Sequence, residues 1–171
     1  MENSDNPSPI SPLRPVVLTI LCYLTLFASS YMMLSAFAGV SDPEEVTKAF
    51  NKSLENWETV FGKTLEADPA GKEQFEKAME EFSYANTRSN MRDYSFFSLV
   101  SNLLTLIGAV LMLRLKKNGF RLYVLGCIIG VISPMIVFGA GNLLGLSYAM
   151  FSGFSSVLFI LLYSFKLKYM E

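Results

Sequence analysis

The chain contains no histidine and only two cysteines. Without an imidazole, histidine-based acid–base catalysis and histidine-ligated metals are excluded. Cys22 and Cys127 form no CxxC pair and sit inside long apolar runs, so both read as packing residues and redox work at an outer face is ruled out. No Walker or Rossmann glycine pattern is present, and no basic face is broad enough for nucleic acid. The adjacent acids Glu44-Glu45 and Glu80-Glu81 point in different directions on a helix and read as solvated faces, not as a cation site. No enzyme, cofactor or metal chemistry is expected.

Charge is also scarce, at 17% of residues, while 51% are apolar. Four stretches carry that excess: residues 15–40, 94–115, 122–140 and 143–165. None of them contains Asp, Glu or Lys, and Arg114 is their only Arg, at the edge of the second. Each meets the length of roughly 20 residues that crosses a bilayer as a helix. The missing carboxylates also remove the usual intramembrane proton relay. The first run ends in Ala36-Phe37-Ala38, which resembles a signal-peptidase site, but it is far longer than a signal core and reads as an uncleaved span.

Basic residues set the expected orientation. Lys116, Lys117 and Arg121 crowd a short hinge, residues 116–121, between the second and third spans, with Arg114 at the adjoining edge of the second, whereas the Gly141-Asn142 turn between the last two is uncharged. Lys and Arg in short loops stay cytoplasmic. The leader (1–14, with Arg14), the hinge and the tail (166–171) are therefore expected inside, and the acidic segment 41–93 outside.

That outer segment has its own pattern. Ser41 is read as an N-cap, with Pro43 in the first turn and Glu44 three residues on. Val46, Phe50, Leu54, Trp57 and Phe61 then recur on one helical face. After Gly62, Asp68-Pro69 and Gly71, Phe75, Met79 and Phe82 share the face of a second helix. Phe50, Leu54, Trp57, Phe75, Met79 and Phe82 are expected to form one buried seam, with an exposed partner contact as the other reading of Trp57. No Gly or Pro occurs between Lys72 and Ser101, so the second helix can run on into the following span as one rod, or break at Asn86, Thr87, Ser89 and Asn90, which are weak helix formers; the sequence leaves both open. The expected fold is all-α, a four-transmembrane-helix bundle with an extracytoplasmic helical hairpin between spans 1 and 2.

Inside the spans the legible signals are small and hydroxylated residues. Gly126 and Gly130 make a GxxxG pair, Ala149 and Gly153 repeat the spacing, and Ser98, Ser101, Asn102, Thr105, Gly108 and Ala109 form a stripe on the second span. Such faces let helices approach closely, within one chain or in a homo-oligomer. Asn102, Ser133 beside Pro134, and Asn142 are the polar residues best suited to touch a solute; their plainer role is interhelical hydrogen bonding and a packed kink.

The segments Arg14-Pro15-Val16-Val17-Leu18-Thr19-Ile20-Leu21-Cys22 and Met112-Leu113-Arg114-Leu115-Lys116-Lys117-Asn118-Gly119-Phe120-Arg121-Leu122-Tyr123 resemble those of a group of small uncharacterised four-helix proteins of the bacterial cytoplasmic membrane. The resemblance covers about a third of the chain, and implies that location and a four-helix fold but no activity and no functional residues. The claudin and tetraspanin arrangement is similar in topology alone, since their extracellular cysteines are missing here. The expected role is a structural or accessory envelope component that contacts membrane lipid and a protein partner. The alternative is a small transporter or channel subunit built on Asn102, Ser133, Pro134 and Asn142.

Overall fold

The computed structural model describes residues 16–64 and 69–167. Arg14 and the rest of the leader, Asp68, and the tail beyond Leu167 lie outside the described residues. Those described are all-α, in six helices: α1 (Val16–Ser41), α2 (Pro43–Thr64), α3 (Pro69–Ala85), α4 (Arg88–Leu113), α5 (Lys117–Val137) and α6 (Leu143–Ser164). Helices α1, α4, α5 and α6 are long and apolar enough to cross a membrane. They expose large apolar side chains such as Phe27, Phe151 and Phe154 around the bundle, as a lipid solvent requires.

Helix α4 is the centre of the bundle, packing most extensively on α5 and α1; α5 in turn packs on α6, and α6 meets α1 only sparsely. The stripe of small residues explains why. Ser101, Thr105, Gly108 and Ala109 are buried, and α5 answers them with glycines. A Cβ on Gly119 would stand 2.6 Å from the Gly108 carbonyl oxygen, and one on Gly126 would stand 2.8 Å from that of Ser101. The GxxxG pair is thus used within the chain, against α4.

Proline 134 sits inside α5 and is buried. Lacking an N–H, it frees the carbonyl of Gly130, four residues earlier. The Ser152 hydroxyl of α6 donates to that carbonyl at 3.4 Å and to its own helix at Ala149. On the next turn, Gly145 lets α6 approach the Pro134 and Gly139 carbonyls closely. The carbonyl that Pro134 frees is satisfied by a neighbouring helix, as intramembrane prolines require.

The connections differ from the sequence reading in two places. First, Ser41 is the last residue of α1 and Asp42 is the cap of α2: its carboxylate accepts the Glu45 N–H at 3.0 Å, and Pro43 occupies the first helical position. Second, the basic hinge is mostly helix. The reversal takes only Arg114 to Lys116, and Lys117, Asn118, Gly119 and Arg121 already belong to α5. The turn closes because Lys116 N–H donates to the Leu111 carbonyl and Leu115 N–H to that of Met112, with Leu115 at φ 58°. Glycine usually fills that left-handed position. Here Leu115 does, because its side chain packs onto the buried cluster at this end. Gly119 looks like a turn glycine in sequence; it is a close-packing residue.

The break between α3 and α4 falls where the weak helix formers stand, and three of them are used there. Thr87 caps α4 by accepting the Asn90 N–H, the Asn90 amide donates back to the Ala85 carbonyl, and Asn86 donates to the Thr47 carbonyl and to Asn51 on α2. Helices α2 and α3 both sit at the end of the bundle opposite the basic turn, α2 against α1 and α4, and α3 against α6.

Candidate functional site

The sequence-expected polar residues do not come together. The Asn102 amide donates to the carbonyl and hydroxyl of Ser98, one turn back on its own helix. Asn142 is the N-cap of α6, accepting the Leu144 N–H at 2.9 Å. Ser133 is 3% exposed, and its hydroxyl is a buried side-chain atom with no hydrogen-bond partner. Among the described residues, no hydrogen bond joins any two of these three.

A different constellation does converge, at the end of the bundle nearer the basic turn. The Thr25 hydroxyl of α1 meets the Tyr163 hydroxyl of α6 at 2.8 Å. Tyr163, fully buried, stands edge-on to Tyr123 of α5 with ring centroids 5.1 Å apart. Cys22, Cys127 and Met112 close the cluster, and neither cysteine is in a disulfide. One layer further along, the Ser29 and Thr105 hydroxyls meet at 3.0 Å and Ser101 donates to the Gly126 carbonyl. The cluster contains no carboxylate, ammonium or imidazole, so it can align hydroxyls and hold helices together but has no group of the usual kind to move a proton at neutral pH. Both cysteines are buried in this cluster, as their apolar surroundings in the sequence predict. The hydroxyl contacts were not foreseen, because Thr25, Tyr123 and Tyr163 look like ordinary span residues and Thr25 meets Tyr163 across 138 positions.

The opposite end is aromatic. Tyr94, Phe138 and Tyr148 form a triangle with centroids 5.2 to 6.0 Å apart, backed by Ala85, Met91 and Leu144. Phe50 and Phe82 reach into it from α2 and α3. Glu81 of α3 accepts the Leu143 N–H at the start of α6 at 3.4 Å, a favourable place for a carboxylate.

Trp57 departs from the expected seam. Phe50, Leu54, Phe75, Met79 and Phe82 are half-buried, but Trp57 is 56% exposed. It stacks on Phe61 at 5.0 Å with the rings nearly parallel, and Phe61 lies 6.3 Å from Phe75. Periodicity identified the shared face correctly; the far ends of α2 and α3 leave that face partly uncovered. The start of α2, nearer the bundle, is charged. Lys48 bonds Glu44 at 2.7 Å; this contact raises the Lys48 ammonium above its ordinary value and, with Arg88 also nearby, holds the Glu44 carboxyl below its own.

Arg114, Lys116 and Lys117 are exposed at the α4–α5 turn, and Arg121 is exposed one turn into α5. Among the described residues, no three His, Cys, Asp or Glu side chains are grouped so as to hold a metal ion. No family model, curated protein or solved structure matches the chain.

Proposed function

We propose that this multi-pass membrane protein is a structural or accessory component of the bacterial cytoplasmic membrane. Both termini and the basic α4–α5 turn lie in the cytoplasm, and α2 and α3 stand outside as a helical hairpin that docks another envelope protein. The carrying observation is the exposed Trp57–Phe61 stack on an otherwise charged helix pair. Aromatic anchors of this kind concentrate binding energy at protein interfaces. Several hydroxyls of the spans support the same reading, since Thr25, Ser29, Ser101 and Ser152 each bond a neighbouring helix. Purification in mild detergent, with mass spectrometry of co-purifying proteins, tests it. A partner, including a second copy of this chain, should be lost in a Trp57→Ala, Phe61→Ala double variant whose melting point is unchanged; a set of partners indifferent to both changes overturns the reading.

The buried, unpartnered Ser133 hydroxyl beside Pro134 supports the second reading, a transporter or channel subunit with its polar site near Asn102, Ser133, Pro134 and Asn142. Solute or ion flux in liposomes containing the purified protein, abolished by Ser133→Ala, would put that reading first.

A further inference from the structure

Where α1 and α5 end and α4 begins, below α2 and α3, a groove of about 590 Å³ opens on the side of the bundle. Its floor is apolar, built from Val40 on α1, Phe96 and Phe97 on α4, and Ile136 and Val137 on α5. Its rim carries Arg92 and Asp93. Phe96 and Ile136 are 57% and 67% exposed, so the apolar part opens toward the bilayer. The charges stand one turn nearer the helix starts, at the level where the span leaves hydrocarbon for water.

We infer that this groove seats one phospholipid whose headgroup pairs a phosphate with a primary ammonium, that is, a phosphatidylethanolamine, with its phosphate on Arg92, its ammonium on Asp93, and the first carbons of an acyl chain over Phe96 and Ile136.

The rim charges are spaced and loosened for this. Arg92 contacts Asp93 at 3.5 Å through both Nε and a terminal nitrogen, longer than the 2.7 to 2.9 Å of a strong charge-assisted hydrogen bond. Both side chains remain at least half exposed. Each therefore keeps capacity for an external partner. A guanidinium offers N–H donors in the geometry that phosphate oxygens accept, and a carboxylate is an acceptor that an ammonium, with three N–H donors, satisfies. The headgroup presents these two charges a few bonds apart, matching two adjacent residues of opposite sign. The other phospholipids match less well. A choline headgroup has a quaternary ammonium with no N–H to donate to Asp93. A glycerol headgroup has no cation, leaving the Asp93 carboxylate beside a phosphate. The inference depends on the four apolar helices spanning a membrane, not on what α2 and α3 dock.

The full chain, purified in mild detergent and equilibrated with equimolar phosphatidylethanolamine, phosphatidylcholine and phosphatidylglycerol of identical acyl chains, is examined by native mass spectrometry for retained lipid. Phosphatidylethanolamine should be retained about fivefold over either competitor, the ratio that ~1 kcal/mol of added ion pairing produces. Asp93→Asn should bring phosphatidylethanolamine down to the phosphatidylcholine level without altering phosphatidylcholine retention. Arg92→Gln should lower both. Arg88→Gln, which removes a cation paired with Glu44 outside the groove, should change neither. Equal retention of the three lipids, a preference for phosphatidylglycerol, or a preference that survives Asp93→Asn overturns the assignment. Circular dichroism melts of each variant separate lost binding from lost folding, and if Asp93→Asn does not fold, Phe96→Ser, which roughens the floor and leaves the rim intact, should reduce retention of all three lipids equally.

Discussion

At the scale of single residues, glycine decides how closely this bundle packs. Gly108 and Gly119 face one another so tightly that a Cβ on either would fall within 2.8 Å of the other's backbone oxygen. Because backbone sits on both sides, no side chain can swing away to make room. Gly119→Ala should therefore cost about 1 to 3 kcal/mol, the usual penalty of overpacking, read as a lower midpoint of unfolding in detergent. Gly141, whose surroundings are open to 4 Å, should tolerate alanine with no measurable change. The hydroxyl pair Thr25–Tyr163 is a gentler case. Interhelical hydrogen bonds in membranes average about 0.6 kcal/mol, so Thr25→Val and Tyr163→Phe should each be mild, and a double-mutant cycle should return a coupling of that size. A coupling near zero would mean the 2.8 Å contact holds no helices together. Neither feature was fully readable beforehand. Gly119 lies among Lys117, Asn118 and Arg121, where polar neighbours make a glycine look like part of a loop, and the residues it packs against become visible only when α4 and α5 are laid side by side.

At the scale of elements, the four spans were legible because a bilayer demands long uninterrupted apolar runs, and that demand is written in composition. The start of α4 was only half legible: Thr87 and Asn90 bond the backbone locally and compete with helix, but the break is completed by Asn86, which reaches across to Thr47 and Asn51 on α2, a contact that no local pattern shows. Burial in α2 and α3 was not legible. The 3.6-residue period shows which residues share a face, but only the neighbouring element decides how far along that face is covered. Phe50 and Phe82 are covered by the bundle, whereas Trp57, further out, is not. Trp57→Ala should accordingly change stability by less than about 0.5 kcal/mol, as surface substitutions do. Phe138→Ala, in the aromatic triangle and 7% exposed, should cost about 3 to 5 kcal/mol. Thermal melts of the two variants side by side check both, and a Trp57 variant as unstable as the Phe138 one would show that α2 and α3 pack more tightly than their exposure indicates.

At the scale of the whole molecule, the proposed orientation rests on Arg114, Lys116, Lys117 and Arg121 at one end of the bundle. Reporter fusions after Asn118 should read cytoplasmic and fusions after Gly62 external. Replacing the four cations with glutamine should produce mixed populations at both sites, because the positive-inside bias is then left to the leader's Arg14. A hinge reporter that reads external in the native sequence would invert the map, and with it the side on which Trp57 and the lipid groove work. The arrangement of the helices carries one more consequence. With α4 and α5 as the spine and α1 leaning on α4, the first span meets the last mainly through Thr25 and Tyr163, 138 positions apart. The ribosome makes these residues far apart in time, so the Thr25 hydroxyl must wait in the bilayer while every intervening helix is threaded in. Until Tyr163 arrives, the Thr25 hydroxyl is left to the carbonyls of its own helix, so the contact that ties the first span to the last is made only once α4 and α5 are in place.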